Sequence, residues 1–263
     1  MPILLSMFYF LNPRLLAHGF FNGKDSIAQA FVCCTIFPIF MFNKTKDIKW
    51  VLLAGLFTGI GITTRIPLVF IPFLFILMIA TEQCLKNKKI KISQNFLKII
   101  TYYLISVVAS VLIFMPTIWH APLEALKFNF MTFMNYQIWD GFVLFKGEMI
   151  RGKDVPWNYT ITWFLITTPI MYVVYLAIGL INAIQIILKN SSRHTIFHGF
   201  MLGSIFIGII APILFKSTLY DSWRHSFYVF PFLAFHMALG FFYVVKKISK
   251  LRITNNKVLV YSI

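Results

Sequence analysis

The sequence predicts an all-α fold, a polytopic bundle of helices that crosses a membrane several times. Of the 263 residues, 59% are hydrophobic and only 12% are charged, and the mean hydropathy is +0.79. A soluble domain could not cover so much apolar surface with so few polar groups. The distribution of charge and a predicted fold-back at Arg65 extend this prediction from a fold class to a topology.

Apolar stretches, compared with the length needed to cross a bilayer, give about seven full spans and a partial one at the N-terminus. The full spans are 26–42, 50–64, 68–81, 99–118, 161–187, 197–215 and 226–245. The apolar piece Met1–Leu11 is too short to cross and lacks the basic start of a signal peptide. We therefore expect residues 1–263 to form one transmembrane domain, the C-terminal part of a longer protein whose first helix begins earlier.

Arg65 interrupts the apolar run from Trp50 to Ala80 and is followed closely by Pro67. A single helix over this run would be about 46 Å long, whereas the hydrocarbon core is about 30 Å thick. The run is therefore predicted to turn back at Arg65, forming a helical hairpin. This turn decides on which side of the membrane every later connection lies.

With the turn at Arg65, most of the 24 basic residues fall on one side of the membrane. They are Lys44, Lys46, Lys49, Lys86, Lys88, Lys89, Lys91, Lys98, Lys189, Arg193, Lys246, Lys247, Lys250, Arg252 and Lys257. Only Asp47 and Glu82 oppose them there, so the positive-inside rule makes this side cytoplasmic. The net charge of +16 is then explained by topology and by contact with anionic lipid, and nucleic acid is not an expected partner.

The segment 119–160 on the opposite, exoplasmic side is predicted to contain a helix lying in the membrane surface. From Pro122 to Ile138, apolar residues recur at helical spacing with polar residues between them, as in interfacial helices. The apolar positions are Leu123, Leu126, Phe130, Phe133, Met134 and Ile138, and the polar ones are Glu124, Lys127, Thr132 and Asn135. Most tryptophans also fall on this face, where interfacial anchoring is the simplest explanation.

Ionisable side chains at the edge of the apolar layer are costly unless they are paired, hydrated or functional. Four groups of residues are candidates for a functional site on this ground. They are His18, Lys24 and Asp25 within 12–25; Arg65; Asp221, Arg224 and His225 within 220–225; and the glycine-containing stretch 139–159. Together they offer cations for a phosphate, carboxylates for a metal or a proton, and aromatic rings for a sugar. Their convergence on the exoplasmic face predicts the functional site.

Each group also has a purely structural explanation, and these alternatives stay open at this point. Asp25 could cap a helix, Arg65 could extend towards lipid headgroups, and Asp221 could pair with Arg224 only to fix a loop. Cys33, Cys34 and Cys84 have neither disulfide nor metal spacing, so they are interpreted as small apolar side chains.

Four stretches resemble the GT-C membrane glycosyltransferases of family 39, which includes protein O-mannosyltransferases and aminoarabinose transferases. The stretches are Asn-Pro-Arg…His-Gly-Phe-Phe-Asn-Gly-Lys-Asp at 12–25, Gly-Leu-Phe-Thr-Gly-Ile-Gly-Ile-Thr-Thr-Arg-Ile at 55–66, Pro-Trp-Asn-Tyr-Thr-Ile-Thr-Trp-Phe-Leu-Ile-Thr-Thr-Pro at 156–169 and Tyr-Asp-Ser-Trp-Arg-His at 220–225. They are spread over most of the chain and stand in the family's order.

The resemblance implies transfer of a sugar, with inversion, from a polyprenyl- or dolichyl-phosphate carrier to a lipid, glycan or protein acceptor at an exoplasmic site. It implies that Lys24, Arg65 and Arg224 bind the donor phosphate, and that His18, Asp25, Asp221 and His225 hold a divalent metal ion or the acceptor. The family's general base lies in a first exoplasmic loop that this sequence does not contain, so no catalytic residue is assigned.

Two further functions remain as alternatives. A transporter or channel would show ionisable residues deep in several spans and repeat symmetry between its halves, neither of which the sequence displays. A catalytically inactive membrane subunit is the other alternative. For the glycosyltransferase we expect a bacterial inner membrane rather than the endoplasmic reticulum, with the active face in the periplasm. The sequence predicts neither the sugar nor the acceptor.

Overall fold

The computed structural model describes residues 2–87, 93–134, 139–189 and 193–255, and within these ranges the chain folds into eleven α-helices and one β-hairpin. The helices are α1 Pro2–Phe10, α2 Pro13–Phe21, α3 Gly23–Thr45, α4 Ile48–Thr64, α5 Phe70–Asn87, α6 Gln94–Phe114, α7 Pro122–Met134, α8 Tyr159–Thr167, α9 Ile170–Lys189, α10 Arg193–Leu214 and α11 Phe230–Asn255. The antiparallel strands are β1 Phe142–Phe145 and β2 Glu148–Arg151. Of the residues used in the predictions, Lys88, Lys89, Lys91, Asn135, Ile138 and Lys257 lie outside the described ranges.

Six helical segments in the described residues are long and apolar enough to cross a membrane. They are Gly23–Thr45, Ile66–Leu85, Gln94–Phe114, Ile170–Lys189, His194–Leu214 and Arg224–Ser249. The apolar helix α4 is shorter, with 17 residues. The prediction of a multi-pass, all-α membrane bundle is confirmed at this level, while a total of seven spans stays a prediction.

The predicted turn at Arg65 is confirmed. Helix α4 ends at Thr64, Arg65 is extended with φ −146° and ψ 108°, and a short 3-10 turn over Ile66–Val69 leads into α5. At the far ends of these helices, Lys46 Nζ lies 2.6 Å from Glu82 Oε2. Helices α3 and α5 therefore end together on one side of the bundle, the Lys46 side, and Arg65 lies on the opposite Arg65 side.

The prediction of one unbroken span over 161–187 was wrong. Helix α8 ends at Thr167 and α9 begins at Ile170. Pro169 explains the break, because it has no N–H to donate and disfavours a helical conformation in the residue before it. Thr168 is accordingly extended, with φ −102° and ψ 134°.

Two helices, α2 and α3, meet within the stretch 12–25. The side chain of Asn12 accepts hydrogen bonds from the backbone N–H groups of Arg14 and Leu15, and Pro13 occupies the first turn of α2. This combination of an N-cap residue and an early proline favours a helix start. Asp25 then lies inside the first turn of α3, whose N-cap is Asn22, so Asp25 is not the cap.

Small residues bring two pairs of helices into close contact. A β-carbon added to Gly179 of α9 would lie 1.8 Å from the carbonyl oxygen of His236 in α11, and one added to Gly240 would lie 1.9 Å from that of Tyr175. Gly55 and Gly59 of α4 meet α6 in the same way. Membrane helices commonly associate through such small residues, since the backbones can then pack directly.

The long segment 119–160 holds the predicted helix, as α7 over Pro122–Met134, and also a β-hairpin that the sequence did not predict. The position of α7 in the membrane surface stays a prediction. Lys146 and Gly147 form a two-residue turn with φ values of 53° and 90°, the positive pair that hairpins favour. Val143 and Phe145 are buried and pack with Tyr159 and Leu219 in a small apolar cluster. The hairpin is thereby attached to the start of α8 and to the loop before α11.

Candidate functional site

Asp25 joins three parts of the chain through two ion pairs on the Arg65 side of the bundle. Its Oδ1 accepts a hydrogen bond from Arg65 Nη2, and its Oδ2 lies 2.9 Å from Arg224 Nε. The side chain of Asn22 also donates to Oδ2. Only 4% of Asp25 is exposed, so this carboxylate is compensated by two guanidinium groups and an amide rather than by water.

A second carboxylate, Asp221, forms two further ion pairs beside those of Asp25. Arg14 Nη2 is 2.5 Å from Asp221 Oδ1, and Arg224 Nη1 is 3.7 Å from Asp221 Oδ2. Arg224 therefore contacts both carboxylates and connects Asp25 with Asp221. The residues Arg14, Asp25, Arg65, Asp221 and Arg224, alternating in charge, are called the ion-pair cluster below.

The backbone of the loop before α11 is held in a rare conformation where it meets the cluster. Asp221 and Ser222 have φ values of 55° and 59°, a region that residues other than glycine seldom adopt. Two hydrogen bonds hold this turn: Arg14 Nη2 donates to the Asp221 carbonyl at 3.1 Å, and Ser222 N donates to the Tyr159 hydroxyl at 3.2 Å. Arg224 follows two residues later and reaches Asp25 from there.

His18 lies beneath the cluster and is 4% exposed. Its Nε2 is 3.8 Å from Asp221 Oδ2, its Nδ1 is 3.4 Å from Asn22 Nδ2, and its ring contacts the rings of Phe21 and Phe227. Burial lowers the pKa of His18 below its usual 6.5, against the opposing effect of Asp221. The neutral imidazole is therefore the form that this site favours at neutral pH.

Lys24 and His225 occupy the margins of the cluster. Lys24 is exposed, and no carboxylate among the described residues forms an ion pair with it, although Asp25, Arg65 and Arg224 all act on it electrostatically. His225 contacts the ring of Tyr220, with centroids 4.5 Å apart. Its Nε2 is buried without a hydrogen-bond partner among the described residues.

The site has an excess of positive charge. Arg14, Lys24, Arg65 and Arg224 are cations, Asp25 and Asp221 are the anions beside them, and His18 favours its neutral form. Two positive charges therefore remain uncompensated within the site. Such a group of preplaced cations attracts an anion, and a partly dry environment strengthens that attraction.

The described residues contain no group of three or more His, Cys, Asp or Glu side chains arranged to hold a metal ion. Asp25, one of the predicted ligands, already accepts from Arg65 and Arg224 with both of its oxygens. Asp221 is likewise paired with Arg14. The divalent metal implied by the resemblance thus stays a prediction.

The remaining predicted stretch, 139–159, also reaches the site. Trp139 packs on Tyr220 with ring centroids 4.6 Å apart, and Leu219 N donates to the Gly152 carbonyl at 2.9 Å. Tyr220 in turn lies under the guanidinium of Arg224 at 5.7 Å. All four groups singled out in the sequence therefore meet on the Arg65 side, through direct contacts.

An apolar cavity of about 980 Å³ lies next to the cluster. Its lining includes Leu5, Phe10, Phe20, Phe37, Phe197 and Phe235 from α1, α2, α3, α10 and α11. Gly19 and Ser26, the sequence neighbours of His18 and Asp25, line it as well. Along α3 it extends from Ser26 to Phe40, which corresponds to about 21 Å at the rise of an α-helix.

Two site residues were missed by sequence reasoning, Arg14 and Asn22. Arg14 lies in the quoted 12–25 stretch, and recognition of Asn12-Pro13 as a helix start would have placed it in the first turn of α2 rather than in a loop. Asn22 offered no comparable signal, because its role depends on the angle at which α2 and α3 meet. Comparisons with protein-family models, curated proteins and solved structures find no match to this chain.

Proposed function

We propose that this protein is an integral-membrane glycosyltransferase, or part of one, that transfers a sugar from a polyprenyl- or dolichyl-phosphate carrier to a lipid, glycan or protein acceptor. The observation that carries the proposal is a cation-rich cluster beside a long apolar cavity, whose lining includes Gly19 and Ser26, the sequence neighbours of His18 and Asp25. A phosphate attached to a hydrocarbon chain has the two properties that such a site complements, an anionic head and an apolar tail.

The finer parts of the proposal follow the predicted topology. Helix α4 would be the seventh full span of a GT-C-like bundle, with α7 in the membrane surface. The Lys46 side would face the cytoplasm, because basic connections are retained there. The ion-pair cluster would then lie on the exoplasmic side, in the periplasm of a bacterial cell.

In the proposed reaction an acceptor oxygen attacks the anomeric carbon of the sugar, and the bond from that carbon to the carrier phosphate breaks. The electron pair of that bond leaves with the phosphate, and the acceptor proton passes to a base that is not assigned here. Arg65, Arg224 and Lys24 stabilise the charge that develops on the phosphate. Asp25 and Asp221 hold the two arginines in place before the substrate arrives.

Substitution of Lys24 tests this role without breaking an ion pair. We expect Lys24→Ala in the intact gene product to lower kcat by about 100-fold, the usual effect of losing one group that stabilises developing charge. Transfer of a radiolabelled sugar from a polyprenyl-phosphate donor is the measurement, with unfolding temperature recorded in parallel. The matched control is Lys153→Ala, an exposed exoplasmic lysine outside the cluster, paired with Asp140.

Arg65→Ala and Arg224→Ala are expected to abolish transfer altogether, since each also leaves Asp25 with one guanidinium partner. Arg65→Lys retains the positive charge beside Asp25. Transfer that is lost in Arg65→Ala but retained in Arg65→Lys shows that the charge at this position is what transfer requires, provided that both variants fold. Undiminished transfer in Lys24→Ala, Arg65→Ala or Arg224→Ala at normal expression would overturn the role assigned to that residue. Absence of any sugar transfer by the parent protein, with every donor class tested, would overturn the function.

A transporter remains the second candidate because of two buried histidines within predicted spans, which sequence reasoning against a transporter overlooked. His198 in α10 and His236 in α11 are 8% and 0% exposed, and His198 Nδ1 and His236 Nε2 are buried without hydrogen-bond partners among the described residues. Intramembrane ionisable groups often mark ion pathways. Proton-coupled uptake into vesicles that His236→Gln abolishes, with sugar transfer absent, would favour this function.

A further inference from the structure

The β-hairpin presents two apolar faces, of which only one has a partner in the described structure. Residues directly opposite one another in an antiparallel pair share a face. The register pairs Val143 with Ile150 and Phe145 with Glu148, and this inner face packs on Tyr159 and Leu219. Its apolar side chains are thus accounted for by contacts within the chain.

The outer face consists of Phe142, Leu144, Met149 and Arg151, because Phe142 pairs with Arg151 and Leu144 with Met149. Phe142 is 55% exposed, Leu144 57% and Met149 64%. Three large apolar side chains next to each other on a four-residue ladder are costly in water. Something of low polarity is therefore expected to cover them.

The hairpin is held close to the ends of apolar helices. Its Gly152 carbonyl accepts from Leu219 N, and Leu219 follows Leu214, the last residue of α10, by five residues. Five residues reach at most about 18 Å, so the hairpin base lies near the level at which α10 leaves the membrane. After its second strand the chain passes through residues 152–158 into α8, which exposes Ile161, Leu165 and Ile166.

The polar groups around the outer face suit lipid headgroups. Arg151, on the outer face itself, lies with its guanidinium 5.8 Å from the Phe142 ring centre, and Lys146 lies at the turn between the two faces, over the ring of the inner-face residue Phe145. Long basic side chains can cover apolar surface while their charges reach phosphate groups. Trp157, which follows the hairpin, is 69% exposed and is of the residue type enriched at membrane interfaces.

We propose that the outer face of this hairpin lies in the lipid bilayer interface on the Arg65 side, with Phe142, Leu144 and Met149 in contact with acyl chains and Arg151 and Lys146 at the headgroup phosphates. Contact of the hairpin with the bilayer then fixes the distance of Trp139 from the membrane. Because Trp139 packs on Tyr220 and Tyr220 contacts Arg224, the positions of these two residues are fixed as well. This proposal does not depend on the glycosyltransferase function.

Position-specific fluorescence in vesicles tests the proposal. Leu144→Cys and Glu148→Cys are made in a background with Cys33→Ala, Cys34→Ala and Cys84→Ser, labelled with a nitrobenzoxadiazole dye, and reconstituted in phosphatidylcholine. These two positions are on the same hairpin but on opposite faces, so each controls for the other. We expect a blue-shifted emission at position 144 and several-fold stronger quenching there than at position 148 by phosphatidylcholine spin-labelled near its carbonyl.

Met149→Cys, directly opposite Leu144, provides a second outer-face position if Leu144→Cys lowers the unfolding temperature. Solvent-like emission with equal quenching at both faces would overturn the proposal. So would a blue shift without lipid quenching, which indicates a protein partner. A blue shift that disappears when the protein is diluted in the vesicles would assign the face to a second copy of the chain and would also overturn it.

Discussion

At the scale of single residues, Asp25 has the largest structural role in the site. It lies in α3 and binds Arg65 at the α4–α5 corner and Arg224 in front of α11. Removal of one partner from a buried ion pair leaves the other charge uncompensated, which is far more costly than loss of an exposed pair. Three parts of the chain therefore depend on one carboxylate for their arrangement on the Arg65 side.

Asp25→Asn is expected to lower the free energy of unfolding by about 3 kcal/mol, because Arg65 and Arg224 would then face each other without an anion between them. Thermal unfolding in detergent, followed by the fluorescence of the neighbouring and buried Trp223, is the measurement. Asp140→Asn is the control, since the exposed pair of Asp140 with Lys153 is worth less than about 1 kcal/mol. Equal losses in the two variants would contradict this role of Asp25.

His18 is expected to make stability depend on pH. Since burial lowers its pKa in the folded state, the unfolded chain takes up a proton near pH 6.5 that the folded chain does not. The free energy of unfolding is therefore highest above pH 6.5 and falls as the pH drops below it, by up to about 1.4 kcal/mol per pH unit.

His18→Gln should reduce that slope, because glutamine does not titrate, whereas His120→Gln, at an exposed position, should leave it unchanged. The other histidines contribute equally to both variants, so the difference isolates His18. Chemical unfolding at pH values from 5 to 8 is the measurement. A slope unaffected by His18→Gln would show that His18 is accommodated in both protonation states.

The sequence predicted the site residues better than it predicted their pairing. An ionisable group near the membrane boundary costs free energy unless it is paired, hydrated or functional. This cost identified Lys24, Asp25, Arg65, Asp221 and Arg224 as candidates. The partner of each charge depends on how helices distant in sequence come together. The pair of Asp221 with Arg224, one of the structural alternatives, is the longer of the two arginine contacts of Asp221, because Arg14 from α2 approaches it more closely.

At the scale of elements, hydrophobic length located the spans, but local chemistry decided their ends. Pro169 divided a run that composition alone would have kept whole. The β-hairpin escaped prediction because its turn is Lys146-Gly147, whereas the strongest hairpin signals are Asn-Gly and Asp-Gly. Its strands also have apolar residues on both faces, which removes the alternation that marks a half-buried strand.

The contact between α9 and α11 is predicted to tolerate no β-carbon at Gly179. Gly179→Ala would place a methyl group against the carbonyl oxygen of His236, so the helices must separate, at a cost of about 2 kcal/mol or more. Gly199→Ala in α10 is the matched control, because a β-carbon there meets nothing within 4 Å. An alanine at that position should be neutral or slightly stabilising, since alanine favours helix more than glycine does.

Thermal unfolding of the two glycine variants in the same detergent gives the comparison. A loss confined to Gly179→Ala would show that direct backbone contact holds these two helices together. Equal unfolding temperatures would mean that α9 can shift along α11 without cost, and the close contact would then have no structural importance.

At the scale of the whole molecule, charge and contacts divide the bundle in the same way. The basic α3–α4 connection and the Lys46–Glu82 pair are on one side, and the ion-pair cluster is on the other. The turn at Arg65 was predictable because helix length and bilayer thickness disagree there. Which side faces the cytoplasm follows only from the bias of lysine and arginine between the two sides.

Cysteine accessibility in intact cells is expected to place Lys49 and Glu148 on opposite sides of the membrane. In a background with Cys33→Ala, Cys34→Ala and Cys84→Ser, a membrane-impermeant maleimide should label Glu148→Cys without permeabilisation. Lys49→Cys, at the exposed α3–α4 connection, should react only after the membrane is opened. Labelling of both from outside would mean an even number of crossings between positions 49 and 148 instead of the predicted three, so the chain would not recross the membrane at Arg65. The reverse pattern would keep the fold but turn the ion-pair cluster towards the cytoplasm, where an exoplasmic sugar transfer could not occur.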